Sequence, residues 1–157
     1  MLVDYYGMPS DPKKGGWPGR SQASGLKYPH KAVFVQTAIT ADIQAELGKK
    51  WDARRFISFV IMHEFEGLLF SDCQKFAEGI GRTDLAANFQ AIRKKFKSPE
   101  EINDSPATHP SQRVLELVPG YQKPLYGNLA ALEIGFEPMR SECPHFRAWL
   151  ERLEQLV

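Results

Sequence analysis

Little in the sequence names a chemistry outright. It has two cysteines, Cys73 and Cys143, in 157 residues. A secreted domain of this size would not rely on one bridge, so the two thiols read as reduced and buried in a cytoplasmic protein. The four histidines, His30, His63, His109 and His145, are scattered, and Cys143-Pro144-His145 has no second pair to complete a zinc site. Long hydrophobic runs are missing too. The longest, Phe56 to Met62, is interrupted by Ser58 and is far short of the roughly 20 residues a membrane-spanning helix needs. No charge sign predominates. Lys and Arg number 20 against 19 Asp and Glu, a net charge of +1, so any contact with nucleic acid or an anionic membrane needs a local patch. There is no GxSxG and no Cys/His nucleophile pattern. His63-Glu64 has no second histidine to make a zincin motif, and Gly15-Gly16-Trp17-Pro18-Gly19 does not join a strand to a helix as a nucleotide loop must.

What is present is an ordinary globular balance, 43% hydrophobic and 25% charged, enough for one domain with a core. Met1 to Asp4 reads as the end of a buried strand, which leads to the expectation that an upstream part precedes it. Residues 5–31 hold five glycines and four prolines and read as a long loop of the kind that is functional or disordered. Val35, Ile39, Ile43 and Leu47 stripe a helix over 32–47. Phe56 to Met62 is apolar on both faces, as in a covered parallel strand. Beyond it the chain reads as helical, with helices opened by Pro110, Pro124 and Pro144 and a capping-box spacing at Ser98-Pro99-Glu100-Glu101. Residues 1–62 form an α/β part and 63–157 a helical part of a single domain. The expected core is Ile57, Phe59, Val60 and Ile61 with Val35, Ile39, Phe89 and Trp149.

His63-Glu64-Phe65-Glu66 lies just beyond the Phe56–Met62 strand, at the edge where open α/β sheets bind ligands. Two carboxylates there could hold Mg²⁺, or be helix N-terminal acids complementing a dipole. Asp4 also ends a strand. It would share the edge with Glu66 if the strands are parallel neighbours, or else close an Asx turn. Arg93, Lys94, Lys95 and Lys97 are a phosphate-contacting patch or a solvated helix end. Arg113, Tyr121 and Lys123 could reach a phosphate or carboxylate.

Several stretches carry a resemblance. Val3-Asp4-Tyr5-Tyr6-Gly7, the run from His63-Glu64-Phe65-Glu66 to Asp72, Ile102-Asn103-Asp104, Pro110-Ser111-x-Arg113, Pro119-Gly120-Tyr121-x-Lys123 and Glu142-Cys143-Pro144-His145-Phe146-x-x-Trp149-Leu150 resemble DUF4276 proteins. That family is similar to Toprim-like proteins, including overcoming-lysogenization-defect nucleases and RloB-type proteins that work with ABC-class ATPases in phage defence. The resemblance implies a helix-rich α/β fold with a small, mostly parallel Toprim-like sheet, here N-terminally truncated. It implies Mg²⁺ held by Asp4 and Glu66, with Glu64 as a third catalytic acid and His63, Arg113, Tyr121 and Lys123 binding substrate. The partners implied are nucleic acid, an ABC-class ATPase and a second copy through an exposed sheet edge, with no membrane. The usual first Toprim glutamate would lie upstream, and Tyr6 stands where the DxD pattern has its second acid. Asp11 is a weak substitute. These departures make this chain an inactive nuclease-like form, or a non-enzymatic module that docks on the ATPase.

Overall fold

Two short strands run parallel in the first of two units into which the chain divides, and the strand at Leu2–Asp4, expected to be buried, is open at its start, with Leu2 56% exposed. The computed structural model describes residues 1–11, 13, 15–62, 64–102 and 109–156. The first unit comprises Met1–Met62 with Ala148–Val157, and the second comprises His63–Arg147. The fold is a helix-rich α/β type.

In the first unit β1 (Leu2–Asp4) pairs with β2 (Phe59–Ile61), with Leu2 opposite Phe59 and Asp4 opposite Ile61. Phe59 N–H donates to Met1 O at 2.7 Å and Tyr5 N–H to Ile61 O at 2.9 Å. The Val60 N–H therefore points away from β1, where it is met by the Gln36 side chain at 3.2 Å. Gln36 belongs to α1 (His30–Leu47). Val35 and Ile39 of that helix are buried with Tyr5, Met8, Ala23, Val60 and Met62. Ile57, Phe59, Val60 and Ile61 are all buried, as expected of a strand covered on both faces. The paired strand is shorter than its apolar run because β1 offers only three residues to pair with. Trp149 is half-buried rather than fully enclosed. It stacks on Phe59 with centroids 5.0 Å apart and an interplanar angle of 24°.

At Gly19 φ is +73°, and a Cβ there would lie 2.6 Å from the Ala38 Cβ of α1, so only glycine lets the loop close onto that helix. Short 3-10 turns at Gln22–Gly25 and Ala53–Arg55 complete the unit.

The second unit is helical: α2 (Phe65–Leu69), α3 (Cys73–Gly79), α4 (Ala86–Arg93), α5 (Pro110–Leu117), α6 (Lys123–Ile134), α7 (Phe136–Glu142) and the start of α8 (Pro144–Glu154). Asp72 caps α3 by accepting from Lys75 N–H at 3.0 Å, an ordinary N-cap. Phe76 and Phe89 stack at 4.5 Å, and Phe70 meets both edge-on. Gly79 sits against the α6 backbone at Ala130.

The Ser98 capping box does not form. Pro99–Glu101 is a 3-10 turn with no side-chain cap, and the Ser98 hydroxyl is buried without a hydrogen-bond partner among the described residues. Glu100 instead reaches α8, accepting from His145 N–H at 2.8 Å and Phe146 N–H at 3.0 Å. Helix α7 is an addition to the sequence expectation. Its Pro138 lies in the first turn, where a missing N–H costs nothing. Among the described residues no helix is long and apolar enough to cross a membrane.

Candidate functional site

Glu64 is the N-cap residue of α2, in extended conformation, and its side chain leaves the helix it precedes. Oε2 accepts from Ser111 N–H at 2.9 Å and Oε1 from Lys123 Nζ at 2.6 Å. Ser111 is the second residue of α5, after Pro110 with its fixed φ and no N–H, and Lys123 is the first residue of α6. The carboxylate thus sits at the positive ends of two helices, with an ammonium beside it. Burial alone would raise its pKa. The hydrogen bonds from Lys123 and Ser111 and the Lys123 charge outweigh burial and hold it below the usual carboxylate range.

His109 completes the group and also shows what it is not. The residue types Ser111, His109 and Glu64 are those of a hydrolytic triad. His109 Nδ1, however, accepts from Gln112 N–H at 3.3 Å as the N-cap of α5, and it is the same atom that meets Ser111 Oγ at 3.1 Å and Glu64 Oε2 at 3.3 Å. A triad needs the acid on one ring nitrogen and the hydroxyl on the other. Among the described residues every polar contact of the ring is on Nδ1, so they do not form the two-sided relay a triad needs, and Ser111 is itself 1% exposed.

Glu66 lies buried in the first turn of α2. Tyr121 is buried nearby. Burial, then the charges of Glu66 and Glu64, push its phenol upward. A Cβ on Gly127 would lie 3.5 Å from its hydroxyl. Glu64, Glu66, Tyr121 and Lys123 are therefore brought together in the second unit. Arg113 lies with its guanidinium 5.5 Å from the Phe96 ring centroid. Asp4 belongs to the first unit, where Oδ1 accepts from Tyr6 N–H at 2.8 Å and Gly7 N–H at 3.3 Å, an Asx-type turn. His63, and Asn103-Asp104 of the resemblance, lie outside the described residues. The sequence offered His109 only as one of four scattered histidines and Ser111 only within the Pro110-Ser111-x-Arg113 resemblance, and neither spacing pointed to Glu64.

Of the basic cluster, Arg93 has a structural task. Arg93 donates to Phe96 O at 2.8 Å, closing the end of α4, and pairs with Glu142 at 2.9 Å. Burial, foremost, pushes the Cys73 and Cys143 thiols up to about 12, so neither is a thiolate nucleophile at neutral pH. Among the described residues no group of three or more His, Cys, Asp and Glu side chains is placed to hold a metal ion.

Comparison with known families matches residues 1–154 to DUF4276, a domain of unknown function. The chain belongs to the DUF4276 family. No curated protein and no solved structure matches it. In this DUF4276 chain the stretches that carried the resemblance are largely joints between helices. Glu64 meets Ser111 and Lys123, Glu142 meets Arg93, Cys143 Sγ lies 3.4 Å from Ser71 Oγ, and His145-Phe146 meets Glu100.

The Glu64 junction makes a stability prediction. Glu64→Gln keeps an acceptor for Ser111 and loses the ion pair to half-exposed Lys123, so it should cost under about 1 kcal/mol at neutral pH. Glu64→Ala also strands the Ser111 N–H and should cost about 1–2 kcal/mol. Because the folded pKa is depressed, the carboxylate's contribution is present above the unfolded value and lost as pH falls through the folded one. The gap between wild type and Glu64→Gln should therefore shrink in acid. Urea denaturation at about pH 7 and about pH 3 measures it, and a gap that widens in acid would refute the assignment.

Proposed function

We propose that this DUF4276 protein is a Toprim-like recognition module that docks on an ABC-class ATPase in phage defence, rather than a self-sufficient nuclease. One observation carries the reading. Leu125, Leu129 and Leu132 are 50%, 43% and 80% exposed and follow one another at helical spacing along α6, and Phe136, 50% exposed, starts α7 just after the break at Gly135. An apolar stripe of that length on a protein with 25% charged residues is the kind of surface a partner covers. The ATPase as that partner comes from the Toprim-like resemblance.

The acids support the same reading. A resident Mg²⁺ held through Glu64 would have to displace Lys123 and the Ser111 N–H, so Glu64 does not fit a hard-cation ligand. The rival reading, a nuclease-like centre using Mg²⁺ with Asp4 and Glu66, rests on buried Glu66 and on the position of Asp4 at a strand end.

One experiment addresses both. The purified chain is incubated with single- and double-stranded DNA and RNA and Mg²⁺ or Mn²⁺, beside Glu66→Ala. No cleavage above background is expected, and cleavage that needs metal and disappears in the variant would favour the nuclease. In parallel the chain is mixed with an ABC-class ATPase encoded in the same locus. Coelution is expected for wild type and its loss for Leu129→Glu/Leu132→Glu. Absence of such a gene, or a complex indifferent to these changes, would remove the docking reading.

A further inference from the structure

The neutral overall charge hides one strongly uneven segment. Residues 5–31 contain Lys13, Lys14, Arg20, Lys27 and Lys31 against a single acid, Asp11. The loop gathers two of these cations on one aromatic ring. The Arg20 guanidinium lies 3.7 Å from the Tyr5 ring centroid and the Lys31 ammonium 5.3 Å from it. Arg20 Nε–H donates to Tyr5 O at 2.8 Å, which fixes the guanidinium at the residue following β1. Gly19, pressed onto α1, fixes the chain just before it.

Among the described residues Arg20 and Lys31 lack a negative partner on two counts, and the ring they share carries an unpartnered hydroxyl. First, among the described residues neither Arg20 nor Lys31 has an ion-pair partner, although the two are close enough for Arg20, after burial, to lower the Lys31 pKa. Second, Lys31 and His30 open an 18-residue helix whose first turn holds no acid; the Lys31 and Ala32 N–H groups donate to Lys27 O at 3.0 Å and Pro29 O at 3.1 Å, so what is left uncompensated there is the helix dipole, not those donors. Cations at a helix N-terminus oppose the macrodipole, whereas an anion there is stabilised. Third, the Tyr5 hydroxyl is buried, on a residue 1% exposed, and has no hydrogen-bond partner among the described residues. A buried hydroxyl normally finds one. The group lies directly beyond the C-terminal end of a parallel strand, where open α/β sheets bind ligands.

We propose that Arg20, Lys31 and the N-terminus of α1 form an anion site for a phosphate group. Arg20 would present its fork of N–H donors and Lys31 a point charge, the pairing of donor types that suits a phosphate. Tyr6 is 47% exposed, sits edge-on to Tyr5 at 5.2 Å and lies 5.7 Å from the Arg20 guanidinium carbon. It offers a ring to a planar group carried by the phosphate. The site is independent of the α6 docking face.

Calorimetric titration tests it, using inorganic phosphate, adenosine monophosphate, adenosine, and a short oligonucleotide without terminal phosphates, all at low salt. Wild type should bind phosphate or the monophosphate and ignore adenosine. Lys31→Gln, whose ammonium makes no hydrogen bond among the described residues, should keep its melting temperature and lose about tenfold or more in affinity. Arg20→Lys, which keeps the charge and loses the fork, should also weaken binding. Preference for the monophosphate assigns a free phosphorylated ligand. Preference for the oligonucleotide, with the same losses, assigns a phosphodiester backbone. No saturable binding of any phosphate species below roughly 10 mM, an affinity of about −3 kcal/mol that no built site should fall under, or affinity unchanged in both variants, overturns the proposal.

Discussion

Alanine at position 79 should cost the helical unit about 2 kcal/mol or more, although glycine-to-alanine in a helix ordinarily gains up to about 1 kcal/mol. The reversal comes from what the new methyl would meet. Its Cβ would fall 2.7 Å from Ala130 Cα, 3.0 Å from Leu129 O and 3.1 Å from Ala130 N. All three are backbone atoms in the middle of α6, so no side chain can rotate away. The helices α3 and α6 would have to separate. Separation loosens Phe76, Ala77 and Ala130, each 0% exposed, and a close-packed interior has no slack to take it up. Gly81→Ala is the control. Gly81 has φ +69° and nothing within 4 Å of the added carbon, so its loss should be confined to left-handed strain of about 1–2 kcal/mol. Urea midpoints with unchanged slopes compare the two directly. A Gly79→Ala protein as stable as wild type would mean that α3 and α6 do not approach this closely.

Some of this was legible in the sequence and some was not, for one physical reason. Patterns that report burial were readable. The i, i+4 stripe beginning at Val35 and Ile39 marks the buried face of α1, and the run from Phe56 to Met62, apolar but for Ser58, marks a strand covered on both sides. That stripe fades at its end, since Leu47 is 57% exposed, because the core it follows ends before the helix does. Patterns that report partners were not readable. Ser98 and Glu101 stand at capping-box spacing, yet the acid that caps a helix here is Glu100, and the helix is 45 residues away. Glu64 was visible as a strand-end acid. Its engagement by Ser111 and Lys123, 47 and 59 residues downstream, was not. Arg20 and Lys31 were dispersed among glycines and prolines that signalled only a loop. Their convergence on Tyr5 depends on where Gly19 lets the loop rest on α1. A charge count confined to residues 5–31, rather than the whole chain, would have flagged them.

Glu100→Ala should be the most damaging single side-chain truncation among the acids. Glu100 is 7% exposed, and its two oxygens accept the N–H groups of His145 and Phe146 at 2.8 and 3.0 Å. Pro144 opens α8 and has no N–H, so these two are the donors of the first turn that a cap must satisfy. A carboxylate accepting both is charge-assisted at each bond and lies at the positive end of the helix dipole. Truncation strands two N–H groups beside a new cavity and should cost about 2–4 kcal/mol. Glu100→Gln separates a carboxylate-specific cap from a merely polar contact. The amide retains one acceptor oxygen and turns an NH₂ toward the other N–H, donor against donor, so it too should lose well over 1 kcal/mol despite its near-identical shape. The contrast with Glu64→Gln is the sharp point. There the lost partner is a half-exposed lysine that water can serve, whereas here it is a backbone donor of the first turn of α8, and that of Phe146 is buried. Equilibrium urea unfolding gives the sizes, and amide hydrogen exchange at His145 and Phe146 locates the effect. If Glu100→Gln matches wild type in both, the charge at position 100 plays no part in starting α8.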